Sequence, residues 1–297
     1  MDIELVTEGL RFPEGPIAMA DGSVILTEIE GKCLTRVLPD GRKETVADTG
    51  GGPNGAAIGP DGAIYVTNNG GSFEFMKANG LNIPGPTPPS HKGGYIQRVD
   101  IKSGKVEEVY GPNSCAGGRL NGPNDLVFDR TGGMWFTDNG CSDEDGRKWG
   151  GVYYARPDGS KITRVREHMV SPNGIGLSPD EKTLYVANSD PERAVWMAYP
   201  LKEDGTIGTG RVFFDATRGV KTLKGLPDGL KVDRDGNLFA TGPGGVLIFA
   251  PDGTHLGTLN TGEATANVGW GDDGSTLYIT ADMYLGRLKT STMGRGF

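Results

Sequence analysis

One pattern recurs six times along the chain, and no other feature of the sequence restricts the fold as tightly. It reads proline, an acid or amide, a small residue, then two strand-like runs joined by a turn. The copies are FPEGPIAMADGSVILTE from Phe12, GPNGAAIGPDGAIYVTN from Gly52, GPNDLVFDRTGGMWFTD from Gly122, SPNGIGLSPDEKTLYVAN from Ser171, LPDGLKVDRDGNLFATG from Leu226 and TANVGWGDDGSTLYITAD from Thr265, the last without its proline. Each contains a short apolar run, a turn signal such as Asp21-Gly22 or Asp235-Gly236, and a β-branched or aromatic run, which together spell a hairpin. Further strand-like runs follow most copies, with turns such as Pro39-Asp40-Gly41 between them, so each unit is read as four antiparallel strands.

The polar markers, Glu14, Asn54, Asn124, Asn173, Asp228 and Asn267, are spaced by 40, 70, 49, 55 and 39 residues. Regular four-stranded units with longer intervals for loop insertions predict an all-β, six-bladed β-propeller spanning residues 1–297 as one domain. Strand-like runs at 3–7 and 286–290 are expected to pair and close the ring, which removes a free sheet edge. Composition agrees: 50 glycines and 19 prolines in 297 residues supply turns for many short strands, and 36% hydrophobic residues supply a core. Helix is expected to be scarce.

In a propeller the first strand of each blade lies nearest the axis, so the six markers are expected to ring one end of a central channel. The second strands return to the same end and bring Glu28, Asn68, Asp138, Asn188 and Asp282 into a neighbouring shell. Two insertions open there, at 69–92 with Phe73, Phe75, Met76 and Ile83, and at 139–150 with Cys141, Arg147 and Trp149; such loops form binding sites or lids. Local turn chemistry accounts for Pro-Asn-Gly and Pro-Asp-Gly copies taken singly, and for Asn54 and Asn267. It does not account for Glu14, nor for carboxylates converging in a channel, because buried like charges need a cation or a proton. Glu14 and Asp228 supply two negative charges, and the amide oxygens of Asn124 and Asn173 add neutral hard ligands, a set suited to one divalent metal ion. Calcium is the leading expectation, with magnesium, manganese, zinc or iron as alternatives. None of the three histidines, His91, His168 and His255, is a marker.

These residues resemble the SMP-30, gluconolactonase and luciferin-regenerating-enzyme family over nearly the entire chain. The resemblance implies a metal held by Glu14 in Phe-Pro-Glu-Gly-Pro, Asn173 in Ser-Pro-Asn-Gly and Asp228 in Leu-Pro-Asp-Gly, while Asn124 in Pro-Asn-Asp ligates the ion or contacts the substrate. It further implies a metal-dependent lactonase in which the ion polarises the lactone carbonyl and Asp228 is the base. Where the animal pattern has a substrate-contacting arginine, two residues before Asn124, this chain has Gly122; Arg119 is the candidate to reach that space. Asn54, Asn124, Asp138 and Arg119 are the candidate substrate contacts, with Asp138 also an alternative base. Asp125 is expected to point the other way along its strand from Asn124.

Other chemistries find less support. No GxSxG elbow, P-loop or dinucleotide fingerprint occurs, and the three cysteines lack a CxxC pair. A net charge of −8 repels polyanions, so nucleic acid is not an expected partner. The first eleven residues carry Asp2, Glu4 and Glu8 without an apolar core, and no apolar run could cross a bilayer, so a cytoplasmic protein acting on a small lactone or ester is expected. Two alternatives stay open: another metal-dependent reaction, as an esterase, phosphotriesterase or lactone isomerase, and a non-catalytic propeller that binds a ligand.

Overall fold

The computed structural model describes residues 2–78, 81–143, 146–202 and 205–297, with the backbone alone at 78 and 81–83. The Ile83 side chain expected in the first insertion thus lies outside the described residues. Six antiparallel four-stranded sheets form the blades of a propeller. Their innermost strands are Pro13–Ala18, Pro53–Ile58, Pro123–Phe128, Pro172–Leu177, Leu230–Val232 and Thr265–Gly271, and each touches its two neighbours around the ring. The sixth blade is composite: the amino-terminal Glu4–Glu8 pairs antiparallel with the carboxy-terminal Tyr284–Lys289 and completes it, and the Arg287 guanidinium bonds Glu4 at 2.7 Å across the join.

The blades adhere through apolar faces that alternate along each strand. Six hydrophobic clusters result, one for each pair of neighbouring blades. Blades one and two share Ile25, Leu34 and Ile64, blades two and three share Tyr65, Leu126 and Phe136, and blades four and five share Trp196, Phe213, Leu230 and Phe249. Across the closure, Leu26 and Val37 pack on Tyr278 and Leu285. A Leu→Ala change at a fully buried position such as Leu26 costs about 2–5 kcal/mol.

At the outer end of most hairpins an Asp carboxylate bonds its own turn, as Asp129 does with the Thr131 and Gly133 N–H groups at 2.9 and 3.1 Å. The fourth copy is one residue longer, and its Glu181 takes a left-handed φ of 57° where the other copies have glycine. Helix is limited, among the described residues, to Thr217–Val220. None is long and apolar enough to cross a membrane. Both insertions contain small hairpins that the sequence did not suggest, Phe75–Ala78 with Leu81–Pro84 and Cys141–Asp143 with Gly146–Lys148.

Candidate functional site

Four markers, Glu14, Asn54, Asn124 and Asn173, are the second residue of an innermost strand, and Asp228 lies two residues before Leu230–Val232. The turn reading of the Pro-Asn-Gly copies therefore does not hold. Pairing with the second strand slips at the marker in five blades, between Glu14 and Ile17, Pro53 and Ala56, Pro123 and Leu126, Pro172 and Ile175, and Thr265 and Asn267. A slip of this kind re-aims side chains, and here it turns markers into the channel. The small residue after the marker answers to close packing between blades. A Cβ on Gly174 would sit 2.2 Å from the Asp228 carbonyl oxygen, and one on Gly229 would sit 2.1 Å from Asn267 Oδ1.

A second repeated device ties five of the innermost strands, at or next to the marker, to the blade before. The Thr27, Thr67 and Thr137 hydroxyls donate to the carbonyls of Asn54, Asn124 and Asn173 at 2.5 Å each, and Thr241 donates to Ala266 at 2.9 Å. In blade four the equivalent residue is Ala187, and Ser189 takes over by donating to the Pro227 carbonyl at 2.5 Å. Its proton committed, Ser189 Oγ accepts from Asn173 Nδ2 at 2.9 Å. That contact fixes which way the Asn173 carboxamide faces.

The channel floor is crowded with carboxylates. Glu14 Oε2 accepts from the Gly15 N–H at 2.8 Å and from Asn267 Nδ2 at 2.7 Å, and Asn267 Nδ2 also lies 3.3 Å from Asp125 Oδ2. Lys231 Nζ donates to Asn267 Oδ1 at 3.4 Å. Burial, followed by the negative charge of Asp125, raises the Glu14 carboxyl to about 7, against the opposing pull of Asn267, Gly15 and Lys231. Asp228 is half-buried, on the wall of a cavity of about 390 Å³, and is pushed well above the ordinary carboxylate range by desolvation and by the charges of Glu14 and Asp125. These mutual effects place Glu14, Asp125 and Asp228, far apart in the chain, around one space. Asp125 thus joins the cluster on the channel side, contrary to the expectation that it points away, because the slip before Leu126 re-aims it.

Three buried side-chain oxygens of the markers have no hydrogen-bond partner: Oδ1 of Asn54, of Asn124 and of Asn173. Unmet acceptors at such depth are rare and call for an explanation. Among the described residues no group of three or more His, Cys, Asp and Glu side chains is placed to hold a metal by itself, so a cation here would depend on these carboxamides.

Two candidates stand apart from this cluster. Asp138 is buried, and its carboxylate accepts the backbone N–H groups of Asn121, Gly122 and Gly140 at 2.7, 2.8 and 2.7 Å, which ties two loops together. Burial raises it to about 6 against those three donors. Glu28 and Asn68 do the same in blades one and two, accepting the N–H groups of Arg11 at 2.6 Å and Gly52 at 2.8 Å. Arg119 is exposed and its guanidinium is held by the Lys92 carbonyl.

The sequence reading left out Lys231 and Ser189 and gave Asn267 to turn chemistry. A signal for Ser189 was present: aligned second strands read threonine at Thr27, Thr67, Thr137, Thr241 and Thr280 but alanine at Ala187.

Comparison with known proteins shows the family and the fold. The chain is 32% identical to the gluconolactonase of Zymomonas mobilis over 98% of its own length and 82% of that protein. It is 35% identical to lactonase drp35 of Staphylococcus aureus (strain bovine RF122 / ET3-1), covering 86% of this chain and 72% of the relative. The solved gluconolactonase of Xanthomonas campestris superposes with a TM-score of 0.78 at 27% identity, over 97% of this chain and 89% of the other. The description SMP-30/Gluconolactonase/LRE-like region matches residues 12–282, and the chain belongs to that family.

Proposed function

We propose that this protein hydrolyses lactones, opening the ring in the channel beside Asp228 with one divalent cation held by Glu14, Asn124, Asn173 and Asp228. The observation that carries this reading is the trio of unpartnered oxygens, Oδ1 of Asn54, Asn124 and Asn173, together with carboxyl groups whose proton affinity burial and mutual repulsion raise. An unmet buried acceptor costs about 1–3 kcal/mol, and a hard dication satisfies amide oxygens and carboxylates together. An all-oxygen set favours calcium, then magnesium or manganese, over zinc. The names of the relatives, gluconolactonase and lactonase, support a lactone as the substrate.

When bound, the cation supplies Lewis-acid polarisation of the lactone carbonyl and offsets the charge that develops on its oxygen. Asp228 faces the cavity, and as its carboxylate it accepts a proton from the attacking water while the water oxygen bonds to the carbonyl carbon. The ring C–O bond then breaks, the proton passes to the leaving alkoxide oxygen, and a hydroxy acid is released. Asn267 holds Glu14 and Asp125 in place, and Lys231, through Asn267, moderates the charge of the cluster. Asn54 Oδ1 is left as an acceptor for a substrate or water hydroxyl.

A panel of γ- and δ-lactones followed with a pH indicator tests this, before chelation, after it, and after return of calcium, magnesium or manganese. Turnover lost on chelation and restored by an ion is expected. Full turnover in verified metal-free protein would overturn the cation, and no turnover on any lactone with any ion would overturn the lactone.

A further inference from the structure

The 390 Å³ cavity beside Asp228 presents mostly apolar surface. Phe12 comes from the approach to blade one, Leu226 from the connection between blades four and five, Ala264 from the connection between blades five and six, and Ala266 from the innermost strand of blade six. Pro84 belongs to the insertion of blade two, which therefore reaches over to blades five and six at the channel mouth. Phe75 of the same insertion packs its ring on Phe12, with centroids 5.3 Å apart. A volume of this size is that of a pocket for a drug-sized ligand, larger than a bare lactone ring requires.

Polar groups on the wall are largely committed to one another. Lys224 Nζ bonds Glu263 at 2.6 Å, and the Thr265 hydroxyl is paired with that of Thr261 at 2.6 Å. Asp282 is the third carboxylate on the lining, with Asp228 and Glu263. A sugar lactone would bring several hydroxyls to these walls, and each one left unpaired weakens binding on the order of tenfold to a hundredfold. Each buried methylene strengthens it about fourfold.

Resting on the lactone reading above, we infer that the preferred substrate carries an apolar alkyl or aryl substituent on the lactone ring, seated between Leu226, Ala264, Ala266 and Phe12, and is not a polyhydroxylated sugar lactone. The ring carbonyl lies toward Asp228 and the substituent toward Pro84.

The test compares glucono-δ-lactone with δ-lactones bearing methyl, propyl and pentyl substituents, using metal-loaded protein. kcat/KM is expected to rise about fourfold per methylene and, with the pentyl compound, to exceed the value for glucono-δ-lactone. In Leu226→Asn, and independently in Ala264→Asn, the pentyl-to-methyl ratio is expected to fall at least fivefold; a ratio does not depend on how much of a variant folds. A flat series with glucono-δ-lactone as the best substrate would overturn the inference and leave lactone hydrolysis standing. If no lactone turns over, the lactone reading has failed by itself. Calorimetric binding of the matching alkyl-substituted lactams then decides the inference, which affinity rising with chain length supports and unvarying affinity overturns.

Discussion

Asp228 and Asp233 flank the same three-residue strand, Leu230–Val232, and their surroundings have little in common. Asp233 is fully buried at the turn end of blade five. It accepts from the Asp235 and Asn237 N–H groups at 2.9 and 2.8 Å, from Asn237 Nδ2 at 2.8 Å and from the Thr292 hydroxyl at 2.9 Å. The carboxy-terminal segment is tied down beside it, where the Arg234 N–H bonds the Met293 carbonyl at 2.9 Å and Arg295 pairs with Glu181. Asp228, at the channel end, lies near carboxylates of two other blades, and burial followed by repulsion from Glu14 and Asp125 raises its proton affinity. One carboxylate has its partners built in, and the other holds donors from Asn173 and Gly229 against the repulsion of two further carboxylates. Fully satisfied buried groups specify a fold, whereas groups held in mutual conflict mark a site.

Exchanging the two roles is the most severe way to test that contrast. Asp228→Asn is expected to cut lactone turnover by about 10²–10⁴-fold while the metal-free melting temperature stays level or rises, since a like-charge repulsion is removed. Asp233→Ala should do the reverse, lowering stability by roughly 3–5 kcal/mol through stranded N–H groups while turnover per folded molecule persists. Thermal melts and active-site-normalised kinetics on both variants measure the two effects together.

The pH response sharpens the same comparison. Glu14 binds its proton more tightly folded than unfolded, with a folded value of about 7 against 4.5, so the folded state holds the extra proton between them. Its contribution is present below about pH 4.5 and is lost as pH rises through about 7. Turn aspartates such as Asp273 are shifted down by their own serine, so they contribute stability above the ordinary carboxylate range and lose it as pH falls. Metal-free protein should therefore lose stability between about pH 4.5 and 7, and saturating calcium should abolish that slope. Denaturant midpoints across this range, with and without calcium, report it.

Smaller effects are expected where the channel end is only braced. Ser189→Ala should weaken cation affinity about 10–100-fold, because Asn173 loses the contact that orients it. Thr67→Val removes a clasp between blades that carries no such orientation and should cost about 1 kcal/mol with cation affinity unchanged. Calorimetric titration and melting of the two variants separate bracing from orientation.

The blades were legible because a hairpin is local: the Asp-Gly turn and the runs on either side lie within one copy. Closure by Glu4–Glu8 and Tyr284–Lys289 was legible because an unpaired edge is costly. The outer strands of blade four, Arg193–Pro200 and Arg211–Asp215, were not recognised because the connection between them is long and its Asp204-Gly205 turn signal lies well away from the second of them. At the channel, residue types and order could be read, but aim could not. Asp125 follows Asn124 and alternation along a strand puts it on the opposite face, which the slip in pairing reverses. Asn267 bonds Glu14 across 253 residues, and no local pattern announces that contact.

The unmet oxygens and the crowded carboxylates are proposed to hold one dication. Calorimetric titration of calcium into chelator-treated protein near pH 6, in two buffers of different ionisation enthalpy, measures this directly. The account predicts one ion per chain, bound with release of protons from the carboxylate cluster, and binding lost in both Asp228→Asn and Asn173→Ala. No binding by any hard divalent ion, or binding that both variants leave unchanged, would contradict it.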